Sequence, residues 1–273
     1  MAMNGVASEF DEALKISLRT KVSPGYVVGL WQGDMRNQLL WSRVIGKKSG
    51  RLDDFPTWSW ASYNGPIDWV GFKSIKGVRE QCKIEQVLPI RRSELPLVEV
   101  RNGGLAIKQA RTASALNKTD LACNFAAIWI HGVIQPVRIS ARFQDQEEIK
   151  VVSRATACGD KVVYEAGWRT VAVSQAPGII AGWASLEDPA LQDDSAFVQA
   201  PLIFVLLVST IEGVVDASFG LGSIFSHSVF NVLYLKPSRI VANSYERAGV
   251  GRLVGREVEH GFTTAYERSL ILI

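Results

Sequence analysis

Short apolar, β-branched runs recur along the whole chain with turn residues between them, and this rhythm constrains the fold more than any other feature. Cys82 to Leu88 alternates apolar with polar. Leu97-Val-Glu-Val100 and Leu105-Ala-Ile107 flank Asn102-Gly103-Gly104, a hairpin signal. Phe125 to Ile134, Leu202 to Val208 and Val232 to Leu235 are almost continuously apolar and predict strands buried on both faces. Ile149 to Val152, Val162 to Tyr164 and Thr170 to Val173 add short strands, Ile67 to Phe72 follows a turn, and Tyr245 to Val250 and Ser269 to Ile273 close the series. Strands at this spacing predict a mainly β fold, sandwich- or barrel-like with antiparallel sheets, rather than alternating β and α.

Helical windows are few. Residues 4–19 place Val6, Phe10, Leu14 and Ile16 near one face with Glu9, Asp11 and Glu12 early, where the helix dipole favours acids. A second helix is expected within 188–196. Ser23-Pro24-Gly25 breaks the chain, so the organisation reads as 1–24, an N-terminal helix at an upstream boundary, and 25–273, a β-rich module. Within the module Tyr26-Val-Val-Gly-Leu-Trp31 reads as a strand, and Gln32 to Gln38 as a tight loop or one helical turn. The stretches 144–148 and 190–194 read as solvated loops and 176–178 as a turn.

The 273 residues are 47% apolar, enough for a full core, and the net charge of +3 is scattered among acids rather than gathered into a basic patch. No nucleic-acid partner is expected. Cys82, Cys123 and Cys158 are odd in number, with no paired spacing, which fits a reducing compartment and neither a disulfide framework nor a structural zinc site. The opening residues lack a secretory pattern, and the apolar run 201–208 falls well short of the roughly 20 residues a bilayer needs. A soluble, intracellular and cytoplasmic protein without membrane contact is expected.

Five of the eight tryptophans, Trp31, Trp41, Trp58, Trp60 and Trp69, fall within 39 positions of one another. At their centre, Pro56-Thr-Trp58-Ser59-Trp60-Ala-Ser62 runs into an Asn64-Gly65-Pro66 turn. As an extended strand it sets both indoles on one face and Ser59 and Ala61 on the other. Large aromatics bury about 150–250 Å² each, so the cluster is expected to be core; an exposed indole pair would instead dock a partner.

Catalytic signals are weak. His131 lies in an apolar strand and reads as a satisfied core residue, His227 in a Ser-rich turn, and His260 in a polar loop. No serine sits in a nucleophile elbow, and the histidines lack metal spacing. Asp34, Asp53, Asp54 and Asp68 lie near the tryptophans, but Asp53-Asp54 reads as a turn and Asp68 as solvent-facing. Gly249-Val250-Gly251 with Gly255 misses the dinucleotide fingerprint and reads as a strand in close backbone approach or a bulge. No catalytic, cofactor-binding or metal-binding residue is assigned.

The ordered series Tyr26-Val-Val-Gly-Leu-Trp31, Leu39-Leu40-Trp41, Phe55-Pro-Thr-Trp-Ser-Trp-Ala-Ser62 and Asn64-Gly65-Pro66 resembles the segment that follows the signature domain of fungal heterokaryon-incompatibility (HET) proteins. There the pattern is Y-x-A-G-L-W, L-L-W and A-P-S-W-S-W-A-S-x-D-G-P. This chain departs at Val28, Phe55, Thr57 and Asn64. Downstream, Gly182-Trp-Ala-Ser-Leu-Glu187 is similar to the family's G-x-x-x-L-D step. Val232-Leu-Tyr-Leu-Lys-Pro237 with Tyr245-Glu-Arg247-Ala-Gly249-Val250 is similar to its V-L-K-P … Y-x-R-V-G element, and Met3 to Phe10 to the helix closing the upstream region.

The resemblance implies a C-terminal fragment or remnant without the HET domain, which is similar to TIR-type signalling domains. It implies a non-enzymatic recognition or regulatory module in self/non-self discrimination and programmed cell death, needing no cofactor. Its partner would be a protein or the missing HET domain. Loss of that domain would leave apolar surface around Phe10 and Leu14. The other expectation from the residues is a carbohydrate-binding or glycoside-active β-sandwich using Trp58, Trp60 and Trp69.

Overall fold

The computed structural model describes residues 25–44, 50–69, 78–90, 98–101, 104–107, 125–142, 152, 156, 168–173, 180–187, 191, 202–216 and 225–273. The described chain begins with β1 (Tyr26–Val27), β2 (Leu30–Trp31), α1 (Met35–Gln38), β3 (Trp41–Arg43), β4 (Gly50–Arg51), β5 (Tyr63–Asn64) and β6 (Ile67–Trp69). Next come β7 (Val78–Glu80), β8 (Cys82–Ile90), β9 (Val98–Arg101), β10 (Gly104–Ile107), β11 (Phe125–Arg142) and β12 (Trp168–Val173). The series ends with β13 (Gly182–Leu186), β14 (Ile203–Asp216), β15 (Phe225–Pro237), β16 (Ser244–Val254), α2 (Arg256–Thr264) and β17 (Glu267–Leu272). The mainly β, antiparallel-rich expectation holds.

Nine strands, β7, β8 and β11 to β17, form one sheet. Six of them close a ring, because β11–β12, β12–β13, β13–β16, β16–β15, β15–β14 and β14–β11 are all antiparallel pairs. Closure removes sheet edges that would otherwise present unpaired backbone groups. The 18-residue β11 makes this possible by changing neighbours. Residues 125–133 pair with β8 and β17, and 134–142 with β14 and β12.

Both faces of the ring are buried, which is why its strands read as unbroken apolar runs. Leu206, Leu233, Leu235, Val250 and Trp183 share one core with Ile128, Ile130, Leu270 and Leu272. Their sequence neighbours Val205, Leu207, Val232, Tyr234 and Ala184 enter a second core with Val258 and Phe262 of α2. The period of two along each strand sorts residues between the cores. Where β13 crosses β16, a Cβ on Gly249 or Gly251 would collide with the Ser185 or Trp183 carbonyl, so the close-approach reading of these glycines is correct.

The segment 25–69 is built differently. Its strands pair only among themselves, β1 with β2, β3 with β6 and β4 with β5, among the described residues. It lies on the first core, contributing Leu30, Met35, Leu39, Leu40 and Trp58.

Several local expectations need correction. Tyr26 to Trp31 is a tight hairpin rather than one strand, because Val28 (φ 45°) and Gly29 (φ 94°) both take positive φ and reverse the chain. Trp58 to Ser62 is a turn followed by a 3-10 helix over Trp60–Ser62, so the two indoles do not share a strand face. Val152 is helical, His227 lies within β15, and His260 sits on α2, a helix with Val258 and Phe262 four apart on its buried side. The 32–38 segment is a 3-10 turn running into α1, and the 97–107 hairpin is present as β9–β10. The expected N-terminal helix, Cys123, Cys158, the 162–164 strand, and the loops at 144–148 and 176–178 lie outside the described residues; of 188–196 only Leu191 is described, in a 3-10 conformation.

Candidate functional site

The tryptophan motif acts through its polar atoms. Ser59 caps the 3-10 helix by accepting from the Ala61 N–H at 3.0 Å, and its hydroxyl donates to the Val28 carbonyl. Trp60 Nε1–H donates to the Gly29 carbonyl at 2.6 Å. The motif therefore grips both residues of the β1–β2 turn, including a β-branched valine in the left-handed region, a conformation that costs about 1–2 kcal/mol. Trp58 points the other way. It is sealed from solvent and its Nε1–H donates to the Ala126 carbonyl of β11 at 3.1 Å. Trp41, also fully buried, donates from Nε1 to the Trp58 carbonyl at 2.9 Å.

Arg247 is the centre of these contacts. The register shift between Tyr234 and Leu235 leaves Ala248 with no opposite number on β15, a bulge that sets Arg247 opposite Leu235 on the face of the first core. Its Nη2 donates to Glu187 Oε1 at 3.0 Å and to the Trp41 carbonyl, while the guanidinium carbon stands 3.6 Å above the Trp41 ring. Its main-chain N–H donates to the Thr57 hydroxyl at 2.8 Å, and that hydroxyl donates to the Ile273 main-chain oxygen. Arg51 Nη2 donates to the Arg247 and Thr57 carbonyls, each at 3.0 Å.

Arg247 and Glu187 are both completely buried. Burial pushes the Glu187 carboxyl up to about 7 against the pull of Arg247, Arg51 and Arg43. Burial likewise brings Arg247 down to about 10, with Glu187 opposing and Arg51 adding to the fall. On both partners the cost of burial opposes their mutual attraction. The Nε and Nη1 of Arg247 find no hydrogen-bond partner among the described residues, consistent with a guanidinium held by stacking and one edge. Sealed side chains of this kind offer no face to a substrate.

Other expected site residues are dispersed. Pro56 is buried and accepts from the Ser59 N–H through its carbonyl, Trp31 is half-buried edge-on to Tyr26, and Tyr245 packs edge-on to Phe204. Asn64 and Gly65 lie exposed at the turn from β5 to β6, and Trp69 is 40% exposed beside solvent-facing Asp68. The five tryptophans thus range from sealed to open and do not form one core face. Asp53 and Asp54 form an exposed turn. His131 is satisfied but not core: it is part-exposed, with Nε2 3.0 Å from Glu267 Oε2 and Nδ1 3.2 Å from Ser269 Oγ.

A second buried polar cluster escaped sequence reading. Arg252 Nε–H donates to Asn231 Oδ1 at 2.8 Å, Asn231 donates to Ser209 Oγ at 3.0 Å, and Arg252 Nη1 donates to the Thr156 carbonyl at 2.8 Å. Trp183 joins through Nε1–H to Thr156 Oγ1 and stacks on Trp168 at 3.9 Å. Arg252 and Asn231 are cross-strand partners, a relation visible only once the register is known. Among the described residues no three His, Cys, Asp or Glu side chains gather, and no helix is long and apolar enough to cross a membrane.

These features define a ring-closed antiparallel β module with a motif-bearing segment locked onto one face by a buried arginine. A scan against protein-family models finds no match, and searches of curated proteins and of solved structures find none either.

Proposed function

We propose that the chain is a non-enzymatic recognition or regulatory module of a heterokaryon-incompatibility-type protein, acting in self/non-self discrimination and the cell death that follows. The observation behind this reading is convergence. The motifs that carry the resemblance are spread along the chain, yet Trp41, Glu187 and the main chain beside Trp58 all meet at Arg247, with Trp41, Glu187 and Arg247 buried. Such residues identify a module by holding it together, and they leave recognition to its surface. The reading includes a cytoplasmic location and a protein partner, either an upstream HET domain or a separate chain, without nucleic acid, membrane or cofactor. Its test is to express a HET domain in a fungal host alone, fused to this chain, and fused to the chain carrying Arg247→Ala. The intact module should change the extent of growth arrest and the variant should not. Identical arrest in all three strains would sink the proposal.

A carbohydrate-binding or glycoside-active module is the second reading, favoured by the open indole of Trp69 next to Asp68. Trp58 is unavailable to it and Trp60 has its N–H engaged by Gly29. Glycan-array binding lost in Trp69→Ala would support this reading; silence on the array counts against it.

A further inference from the structure

The segment 25–69 shares no backbone ladder with the nine-stranded sheet among the described residues. Besides the apolar contacts of Leu30, Met35, Leu39, Leu40 and Trp58 with the first core, it is held by a set of polar contacts: Trp58 to Ala126, Thr57 to Arg247 and Ile273, Arg51 to Arg247, and Arg247 to Trp41. At the other end α1 packs on β8, where Arg36 donates to the Cys82 carbonyl at 3.3 Å and pairs with the half-exposed Glu80. Strand-to-strand bonds within the sheet are unaffected if all of these break together.

We propose that the described residues of 25–69 form a strap that opens as one unit while the nine-stranded sheet stays folded, uncovering the β8 and β11 region of the first core. Local opening of this type needs few shared backbone bonds and a separable set of contacts, and the strap has both. Its strand pairs and the motif's grip on the β1–β2 turn are bonds within the segment, separate from those that attach it to the sheet. The inference stands on the geometry alone and does not depend on the functional reading above.

Cys82 provides the reporter. Closed, its thiol is buried with Met35 and Leu39 of the strap in the same core, and burial holds it up at about 12, unreactive toward alkylation. The test is iodoacetamide labelling of the intact chain across sub-denaturing urea, read at Cys82 by peptide mapping. Amide exchange at Val232 and Leu233, in the centre of the sheet, serves as the reference. Cys82 should open about 100-fold more often than those amides, with a urea slope less than half of theirs. Thr57→Val, which removes two latch bonds while leaving the Arg247–Glu187 pair in place, should speed labelling at Cys82 about 10-fold and leave exchange at Val232 unchanged. Equal opening frequencies and equal urea slopes for the two probes would overturn the proposal.

Discussion

The segment 25–69 and the ring of strands solve the same problem by opposite means. The ring satisfies its backbone groups with long ladders, such as β14–β15 and β15–β16, and buries apolar side chains on both faces. The segment has two- and three-residue strands, too short to be stable alone, and substitutes indole, hydroxyl and guanidinium donors aimed at carbonyls. A ladder distributes its strength over many equivalent bonds. The segment adds to its apolar contacts with the first core a polar attachment concentrated in a few atoms, which makes single substitutions there unusually informative.

The sharpest way to break this contrast is Arg247→Ala. It removes the ion-pair partner of buried Glu187 and frees the Trp41 carbonyl, and should lower stability by about 3–5 kcal/mol in urea unfolding. Because the cost of burial opposes attraction on both partners, Arg247→Met with Glu187→Leu should fall well short of that loss. A double variant as unstable as the single one would show that the pair stabilises after all.

Gly29→Ala comes next. At φ 94° a side chain is strained, and its Cβ would stand 3.0 Å from Ser59 Oγ and 3.1 Å from Trp60 Nε1. A loss of about 2 kcal/mol is expected, with faster amide exchange confined to 25–69. Exchange accelerated equally in β15 would mean that the segment and the ring unfold as one.

The smallest effect is on pH. The folded chain holds the Glu187 proton more tightly than the unfolded chain, so the contribution of this group is fully present below its ordinary value of 4.5 and is lost as pH rises through about 7. Between about pH 8 and about pH 6, stability should therefore rise on acidification by about 1 kcal/mol. The slope should vanish in Glu187→Gln.

The ring was legible in the sequence because strands buried on both faces leave continuous apolar runs, as at 203–208 and 232–235. Its closure was not, since β13–β16 and β11–β14 join residues far apart along the chain. The tryptophan motif misled through its spacing: i and i+2 indoles share a face only in extended backbone, and Ser59 instead nucleates a 3-10 turn through its own hydroxyl. The helix at 256–264 hid behind Gly261 and a short span of nine residues. Arg247 and Glu187 carried no signal of burial, because charged residues sit inside so rarely without partners. The pairing of β13 with β16 and the β-bulge at Ala248 bring them together.

The change of neighbours along β11 has a consequence for how the sequence can vary. From Ala126 to Ile139 one alternation of faces runs across both halves, yet each half answers to different partners. A single-residue insertion near Val133 would keep both halves extended while turning every side chain of one half to the wrong core. Point substitutions in this strand are a matter of volume, whereas a one-residue change of length at its midpoint is a matter of topology.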